Sequence, residues 1–201
     1  RYAVNDNMIL PPADNPAQVE VIRGPNIKPV PEAPSLPDVL RGRVLLVVGD
    51  HITTDHIMPA GTEVLPLRSN IPAIAEYVFW RVYPDFARRA RDWGGGFVVG
   101  GVNYGQGSSR EHAALAPMVL GVRAVVARSF SRIHHANLVN TGILPLVFAA
   151  EVADEAIAQG DEWEIRGIRA ALENGHELTV HNLSRNTHFP VRYDLTARQV
   201  R

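Results

Sequence analysis

The chain has 201 residues, with 20 Lys and Arg against 21 Asp and Glu, a hydrophobic fraction of 46% and no Cys. This length and apolar content allow a packed domain and exclude a disordered polyelectrolyte or a collagen-like fibre. The absence of Cys excludes a disulfide framework, thiol catalysis and an iron–sulfur cluster held by this chain's own thiolates. No apolar run approaches the roughly 18 residues of a membrane span, and a net charge of −1 gives no support to nucleic-acid binding by the whole domain.

The first 40 residues contain eight of the 15 prolines. Proline removes a backbone donor and disfavours helix at the preceding residue, so this stretch should run extended over a surface. We predict a Pro-rich linker at residues 1–40 and a folded domain at residues 41–201.

The residue pattern of the predicted folded domain indicates strands that alternate with helices. Residues 44–48 form an apolar run typical of a strand buried on both faces, and Gly49-Asp50 stops it. The pattern then predicts a helix over 72–92 interrupted at Pro84, a strand at 97–99, a helix at 109–119, a strand at 122–127, a helix at 129–140 and a strand at 143–148. A short helix near 151–159, strands near 161–165, 177–182 and 189–193 and a final short helix complete the prediction. This order indicates an α/β domain with a partly parallel sheet, and the strand-rich tail indicates a second small sheet or a mixed layer.

The strongest local motif is Asn-Tyr-Gly-Gln-Gly-Ser-Ser-Arg-Glu-His at residues 103–112. Ser108 followed three residues later by Glu111 has the pattern of a capping box, which predicts a helix that begins at the serines. A helix N-terminus favours a carboxylate or phosphate, Arg110 would add a bidentate contact, and the same field would make Ser108 a plausible base. The alternative is an ordinary Ser N-cap after a Gly-rich turn. The motif is not a P-loop, because no Gly-Lys-Ser/Thr follows the glycines.

A second motif, Asp-His-Ile-Thr-Thr-Asp-His-Ile-Met-Pro-Ala-Gly, occupies residues 50–61. It follows the first buried strand, where open α/β sheets usually place ligands. Asp55 and His56 would tune each other's pKa or bind a metal; the alternative is a turn with satisfied hydrogen bonds. His134 and His135 make a poor metal pair, because neighbours on a helix point about 100° apart.

Together, the two motifs resemble the C-terminal swivel domain of aconitase. The matching elements are Thr-Thr-Asp-His-Ile followed by Pro-Ala-Gly, and Asn-Tyr-Gly-x-Gly-Ser-Ser-Arg-Glu-His-Ala-Ala-Leu. The resemblance continues over residues 121–146 and covers roughly residues 41–200. It implies a three-layer β/β/α swivelling domain with a partly parallel central sheet flanked by helices, and the Pro-rich start resembles the linker to three cluster-bearing domains.

The resemblance also implies an activity. Aconitases interconvert citrate and isocitrate through cis-aconitate at a four-iron four-sulfur (4Fe-4S) cluster, which the other domains hold, so this chain itself would bind no metal. Ser108 matches the base; Ser109 and Arg110 match ligands of the substrate carboxylates. Arg68 is the candidate for a further substrate Arg, although its spacing from Asp55 differs from the family by about one residue. Asp55 and His56 match residues at the active-site face, which implies supporting hydrogen bonds.

Two positions depart from the resemblance, and several functions stay open. Met58 stands where many aconitases have Ser, and Ala116-Pro117 replaces the frequent Glu-Pro.

The choice of activity rests on the same two motifs. The small subunits of isopropylmalate and homoaconitate isomerases usually read Thr-Asp-x-Ile-Pro-x-Arg and lack the Ala-Ala-Leu continuation. This chain has Thr-Thr-Asp-His and Ala-Ala-Leu, so we favour aconitate hydratase. Methylcitrate-type dehydratases are a further alternative.

The expected partners are the cluster-bearing domains, in the same chain or a separate subunit, and citrate or isocitrate. An RNA-binding regulatory role is the alternative from another class. It would use Arg88, Arg89 and Arg91, which we interpret instead as a solvated helix end, so we expect neither an RNA nor a membrane partner. The expected location is the bacterial cytoplasm or the mitochondrial matrix.

Overall fold

The computed structural model describes residues 3–175 and 177–200, apart from the side chain of residue 154. Residues 3–30 are exposed and contain one 3-10 turn, Pro16–Gln18. The backbone N–H of Lys28 donates to the carbonyl of Ser69 at 2.9 Å. The chain is first half-buried at Pro31. The division into a linker at 1–40 and a domain at 41–201 stays a prediction, and both predicted segments include residues outside the described part.

The described residues contain seven strands: β1 (Val39–Val47), β2 (Gly96–Gly100), β3 (Val122–Ala127), β4 (Leu144–Phe148), β5 (Glu162–Arg166), β6 (Leu178–Asn182) and β7 (Thr187–Arg192). They form one sheet that closes on itself in the order β1-β2-β3-β4-β7-β6-β5. Strands β1 to β4 pair in parallel, and β5, β6 and β7 pair antiparallel. Antiparallel pairing of β1 with β5 and of β4 with β7 closes the sheet. The predicted α/β class with a partly parallel sheet is confirmed.

Two hydrophobic cores lie on the two sides of the parallel strands. Inside the closed sheet, Phe97 of β2 faces Trp163 of β5, which in turn packs against Phe189 of β7. The outer face of the parallel strands packs against the helices, where Phe79 and Phe86 are fully buried. Every residue of β2 is buried, because this strand has a core on each face. The layers are therefore parallel strands, antiparallel strands and helices, as the β/β/α prediction requires.

The helices are α1 (Thr54–Ile57), α2 (Ile71–Ile74), α3 (Phe86–Asp92), α4 (His112–Val119), α5 (Arg132–Asn140), α6 (Ile168–Asn174) and α7 (Ala197–Val200). The sequence did not predict α1 or α6. The predicted helix over 72–92 is wrong for its middle: residues 78–85 are not helical, and Phe79 has a left-handed φ of 57°. Within the described residues, none of the helices combines the length and apolar content needed to cross a lipid bilayer.

Candidate functional site

The two sequence motifs meet at the carboxyl ends of β1 and β2. The N–H of Gly105 donates to the carbonyl of Ile52 at 2.7 Å, and the N–H of Thr54 donates to the carbonyl of Gln106 at 2.9 Å. Thr53 and Gln106 also form an isolated parallel bridge. These bonds join the loop that carries Asp55 to the loop that carries Ser108. The prediction that both motifs serve one site is therefore consistent with their placement.

Ser108 lies in an exposed loop and does not cap a helix. The N-cap of α4 is Glu111, and no side chain caps it, so the predicted capping box of Ser108 with Glu111 is wrong, as is the helix start at residue 109. The reason is a non-local contact: the buried hydroxyl of Thr54 donates to the carbonyl of Ser108 at 3.1 Å.

The position of Ser108 determines which groups lie near enough to stabilise a negative charge on its side chain. A helix dipole acts within about one turn of the helix end, and Ser108 precedes the N-cap by three residues. Within the described chain, the backbone N–H groups of Ser108, Ser109 and Arg110 donate to no other protein group. Both serines are exposed. An anion beside Ser108 would consequently meet loop amides, in place of the helix terminus that the sequence predicted.

Arg110 is held in place by one edge of its guanidinium group. Its Nη1 donates to Asp55 Oδ1 at 2.6 Å and to the carbonyl of Met58 at 2.6 Å. The Arg110 side chain is 20% exposed, and that of Asp55 is 62% exposed. Nε and Nη2 of Arg110 donate to no other group in the described residues, so they are available to an external carboxylate. Asp55 thus positions Arg110, and Met58 contributes its carbonyl while its own side chain is buried.

His56 belongs to a local capping arrangement. Its backbone N–H donates to Thr53 Oγ1, and its Nδ1 accepts from the N–H of Thr53, each at 3.1 Å. The pair is a capping box in which His takes the place of the usual Glu or Gln. Its assignment to the catalytic residues, like those of Ser108 and Asp55, stays a prediction; the bonds that the structure shows are supporting ones.

Arg68 reaches the same region through its backbone. Nε2–H of His112 donates to the carbonyl of Arg68 at 2.8 Å, which ties the loop after α1 to the start of α4. Arg68 is exposed, and its side chain forms no hydrogen bond or ion pair with the described residues. The placement suits the predicted role in substrate binding but leaves that role a prediction.

Sequence reasoning missed the residues behind the Ser108 loop. His134 is buried, and a Cβ on Gly105, whose φ is 79°, would overlap the His134 ring. The ring of Tyr104 lies 5.5 Å from that of His134, between centroids. Burial, with a smaller contribution from His135, lowers the pKa of His134 to about 4. A neutral imidazole therefore supports the loop, and the Gly after Tyr104 was the only signal for it in the sequence.

The described residues contain no group of three or more His, Asp or Glu that could hold a metal ion. The two serines and Asp55 are open to solvent on the surface of the chain. Any ligand bound here would therefore stay exposed on one side unless a partner covers it.

The chain is similar to known proteins of one family. A family described as the aconitase C-terminal domain matches residues 79–151. The chain is 43% identical over 135 residues to 3-isopropylmalate dehydratase small subunit 2 of Archaeoglobus fulgidus, which is 66% of this chain and 77% of that protein. The chain belongs to the aconitase C-terminal domain family. The predicted resemblance is confirmed.

Other members of the aconitase C-terminal domain family differ in their named activity. The homoaconitase small subunit of Thermus thermophilus is 40% identical over 129 residues, 64% of this chain and 76% of that protein. A probable mitochondrial aconitate hydratase of Dictyostelium discoideum is 32% identical over 209 residues, 89% of this chain but 26% of that protein. The named enzymes are hydro-lyases, which supports a dehydratase-type role.

The fold agrees with a solved member of the family. The crystal structure of 3-isopropylmalate dehydratase (LeuD) from Methanocaldococcus jannaschii matches with a TM-score of 0.63 and 26% identity, covering 80% of this chain and 86% of that chain. The expectation of citrate as substrate is the part that these relatives support less well than the isopropylmalate alternative.

Proposed function

We propose that the chain is the carboxylate-binding and base-supplying component of an aconitase-family hydro-lyase, of the 3-isopropylmalate dehydratase small-subunit type. The observation that carries the proposal is Arg110, which Asp55 and the Met58 carbonyl hold with two donor atoms available beside the exposed Ser108 and Ser109. Several 3-isopropylmalate dehydratase small subunits, of which the chain covers between 75% and 80%, support the substrate class. This reverses the preference for citrate that the sequence motifs suggested.

The chain would contribute two steps of a dehydration. Arg110, Ser109 and the loop amides bind a substrate carboxylate, which places the adjacent C–H bond at Ser108. Ser108, as an alkoxide stabilised by Arg110 and by those amides, accepts the proton from that carbon. Asp55 and His56 hold α1 and Arg110 in position and do not need to touch substrate.

The departing hydroxyl requires an electrophile that this chain does not provide. The family resemblance implies a 4Fe-4S cluster, but the chain has no Cys and the described residues contain no metal-binding group. The residues present therefore do not fit that cofactor, and a cluster-bearing partner, as a separate subunit or as further domains, would hold it. The exposure of Ser108 and Ser109 is consistent with a site that such a partner covers.

Citrate hydration is the second candidate, supported by the alignment of an aconitate hydratase over 89% of this chain. The substrates differ where isopropylmalate has an isopropyl group and citrate has a third carboxylate. The 3-10 turn Leu65–Leu67 and the following residue offer a contact for either group. Leu65, which is 52% exposed, is apolar and suits the isopropyl group, whereas cationic Arg68 suits the third carboxylate.

An RNA-binding role has less support. Arg88 pairs with Asp85 and Asp92, and Arg91 pairs with Glu76. The third arginine, Arg89, donates to the Leu45 carbonyl. Two of the three arginines therefore already have acidic partners, and Arg89 is half-buried against β1, which leaves little free charge for a phosphate backbone.

The test is turnover of the full chain combined with a cluster-bearing large subunit, assayed with isopropylmalate, citrate, homocitrate and methylcitrate. We expect isopropylmalate to be the preferred substrate; turnover of citrate alone would select the second candidate.

A substitution tests the base in the same assay. Ser108→Ala should lower kcat by about 100- to 10,000-fold with little change in the free energy of unfolding, because the Ser108 side chain caps no helix. Ser35→Ala, an exposed residue outside the two loops, is the matched control. A Ser108→Ala enzyme with near-normal kcat would exclude Ser108 as the base.

A further inference from the structure

A cavity of about 740 Å³ opens beside the carboxyl ends of β3 and β4. Its walls are the loop after β3, the first turn of α5, and the chain between β7 and α7. None of its residues belongs to the candidate active site. The two regions are nevertheless adjacent, because Ser129 Oγ in the cavity wall accepts from the N–H of Asn103 at 2.8 Å.

The cavity is lined by more positive than negative charge. Arg128, Arg132 and Arg192 line it, against one acidic side chain, Asp194. Among the described residues, the side chains of Arg132 and Arg192 form no ion pair and no hydrogen bond, and both residues are exposed. Two unpaired guanidinium groups in one concave surface present up to about ten N–H donors to an anion.

One wall of the cavity also contains a buried polar atom without a partner. Nε2 of His135 is inaccessible to solvent and has no hydrogen-bond partner, while Phe130 packs edge-on against the ring at 5.7 Å between centroids. Burial lowers the pKa of His135, and the charge of Asp194 partly opposes this. Since Nε2 is closed to solvent, His135 contributes ring surface to the wall, and the recognition of an anion rests on the arginines.

We propose that this cavity binds an organic anion that carries at least two phosphate or carboxylate groups. Arg132 and Arg192 would each hold one anionic group, and a single inorganic ion would leave most of the volume unfilled. Phe130 and Tyr193 supply carbon surface for the body of the ligand, and the hydroxyl of Tyr193 is already committed to the carbonyl of Ala171 at 2.7 Å. The proposal does not depend on the dehydratase activity, since it uses none of the same residues.

Isothermal titration calorimetry on the full 201-residue chain at low ionic strength tests the proposal, with ADP as the phosphate probe, citrate as the carboxylate probe and inorganic phosphate as the small anion. We expect saturable binding of ADP or citrate, and the stronger of the two identifies the anionic group. Arg132→Gln and Arg192→Gln should each raise the Kd by about tenfold, the usual size of a lost charged hydrogen bond. The Kd of Arg132→Lys should lie between those of the wild-type chain and Arg132→Gln, because Lys keeps the charge but cannot form the bidentate hydrogen bonds of a guanidinium group.

Two control variants distinguish binding in this cavity from binding elsewhere on the chain. Arg23→Gln removes the same charge from an exposed residue of the N-terminal segment and should leave the Kd unchanged. Arg110→Ala removes the candidate active-site cation and should leave the Kd of ADP unchanged; because citrate is also a candidate substrate, its binding to the cavity is measured in the Arg110→Ala background. The proposal is overturned if neither organic probe binds, if Arg23→Gln weakens binding as much as Arg132→Gln, or if only Arg110→Ala weakens it. Circular dichroism of each variant checks that the fold is retained.

Discussion

Gly105 shows how one residue determines the position of the loop that carries Ser108. Its positive φ of 79° is a conformation that side chains other than Gly rarely adopt, and its Cα faces the ring of buried His134. The next residues carry the loop to Ser108. Because Gly105 has no Cβ, the loop lies directly against the His134 imidazole, and this contact fixes the distance of the loop from the sheet.

Gly105→Ala should therefore destabilise the chain by about 3 kcal/mol, from left-handed strain together with overlap on the His134 ring. Gly94→Ala is the matched control. Gly94 has a similar φ of 74°, but an added Cβ meets nothing within 4 Å, so only the strain of about 1 kcal/mol should appear. Urea denaturation of both variants measures the difference. Equal losses would show that contact with His134 does not hold the loop.

At the scale of elements, α1 is a four-residue helix that depends on its cap. Thr53 and His56 satisfy each other's backbone N–H groups, and Thr54 and Ile57 are buried beneath the site. Asp55 is on the same short helix and orients Arg110. Loss of the cap would therefore act on the site through the helix.

Thr53→Ala and His56→Ala should each cost about 1 kcal/mol of unfolding free energy, the usual value of an N-cap. The double variant should cost less than the sum, because the two bonds form one reciprocal unit. Chemical denaturation of the two single variants and the double variant gives the coupling energy, with exposed Thr62→Ala as the control. If His56→Ala leaves stability unchanged but abolishes turnover, His56 is catalytic and its role as a cap is wrong.

At the scale of the whole molecule, buried His134 makes stability depend on pH. The pKa of His134 is about 4 in the folded chain against an ordinary value of 6.5. Between these values the unfolded chain binds the proton and the folded chain does not, so stability falls as the pH falls from 6.5 towards 4.

The loss from His134 over this window should be about 3 kcal/mol. His134→Leu should have a shallower stability–pH curve by that amount, while exposed His188→Gln should keep the slope of the wild-type chain. Urea titrations at several pH values from about 4 to 7 provide the curves. Parallel curves for the wild-type chain and His134→Leu would contradict the burial of a neutral imidazole.

The N-terminal segment offers a test of the predicted domain boundary. Residues 3–30 are exposed, whereas Leu36 packs on the core inside the sheet and its carbonyl accepts from Arg169 Nε at 3.0 Å. Deletion of residues 1–24 should change the free energy of unfolding by less than about 0.5 kcal/mol. Deletion of residues 1–37 should cost about 2 kcal/mol through lost apolar burial and this bond. Thermal unfolding compares the two, and a large loss from the shorter deletion would place residues 1–24 within the fold.

Features with a short-range signal were predictable. The strand predicted at 122–127 coincides with β3, and the alternation of strands with helices indicated the α/β class and a partly parallel sheet. The second motif was predicted to lie at the carboxyl end of a strand, and the residue order of both motifs was specific enough to indicate the family.

Features that depend on distant contacts were not predictable. Pairing of β1 with β5 and of β4 with β7 joins distant parts of the chain, and the local sequence of one strand does not indicate which other strand it pairs with. The same is true of Thr54 and Ser108, which are 54 residues apart: their hydrogen bond holds Ser108 in the loop, and α4 begins only at His112 despite the local capping signal.

The amino-acid order alone determined the fold class, the family and the neighbourhood of Asp55, Ser108 and Arg110, because hydrophobic period and motif chemistry are local properties. Only the tertiary structure decided that the sheet closes, that loop amides take the place of a helix end at Ser108, and that Asp55 holds Arg110. Those outcomes depend on packing and hydrogen bonds between residues far apart in the chain. The free energy of such contacts cannot be inferred from a local sequence pattern.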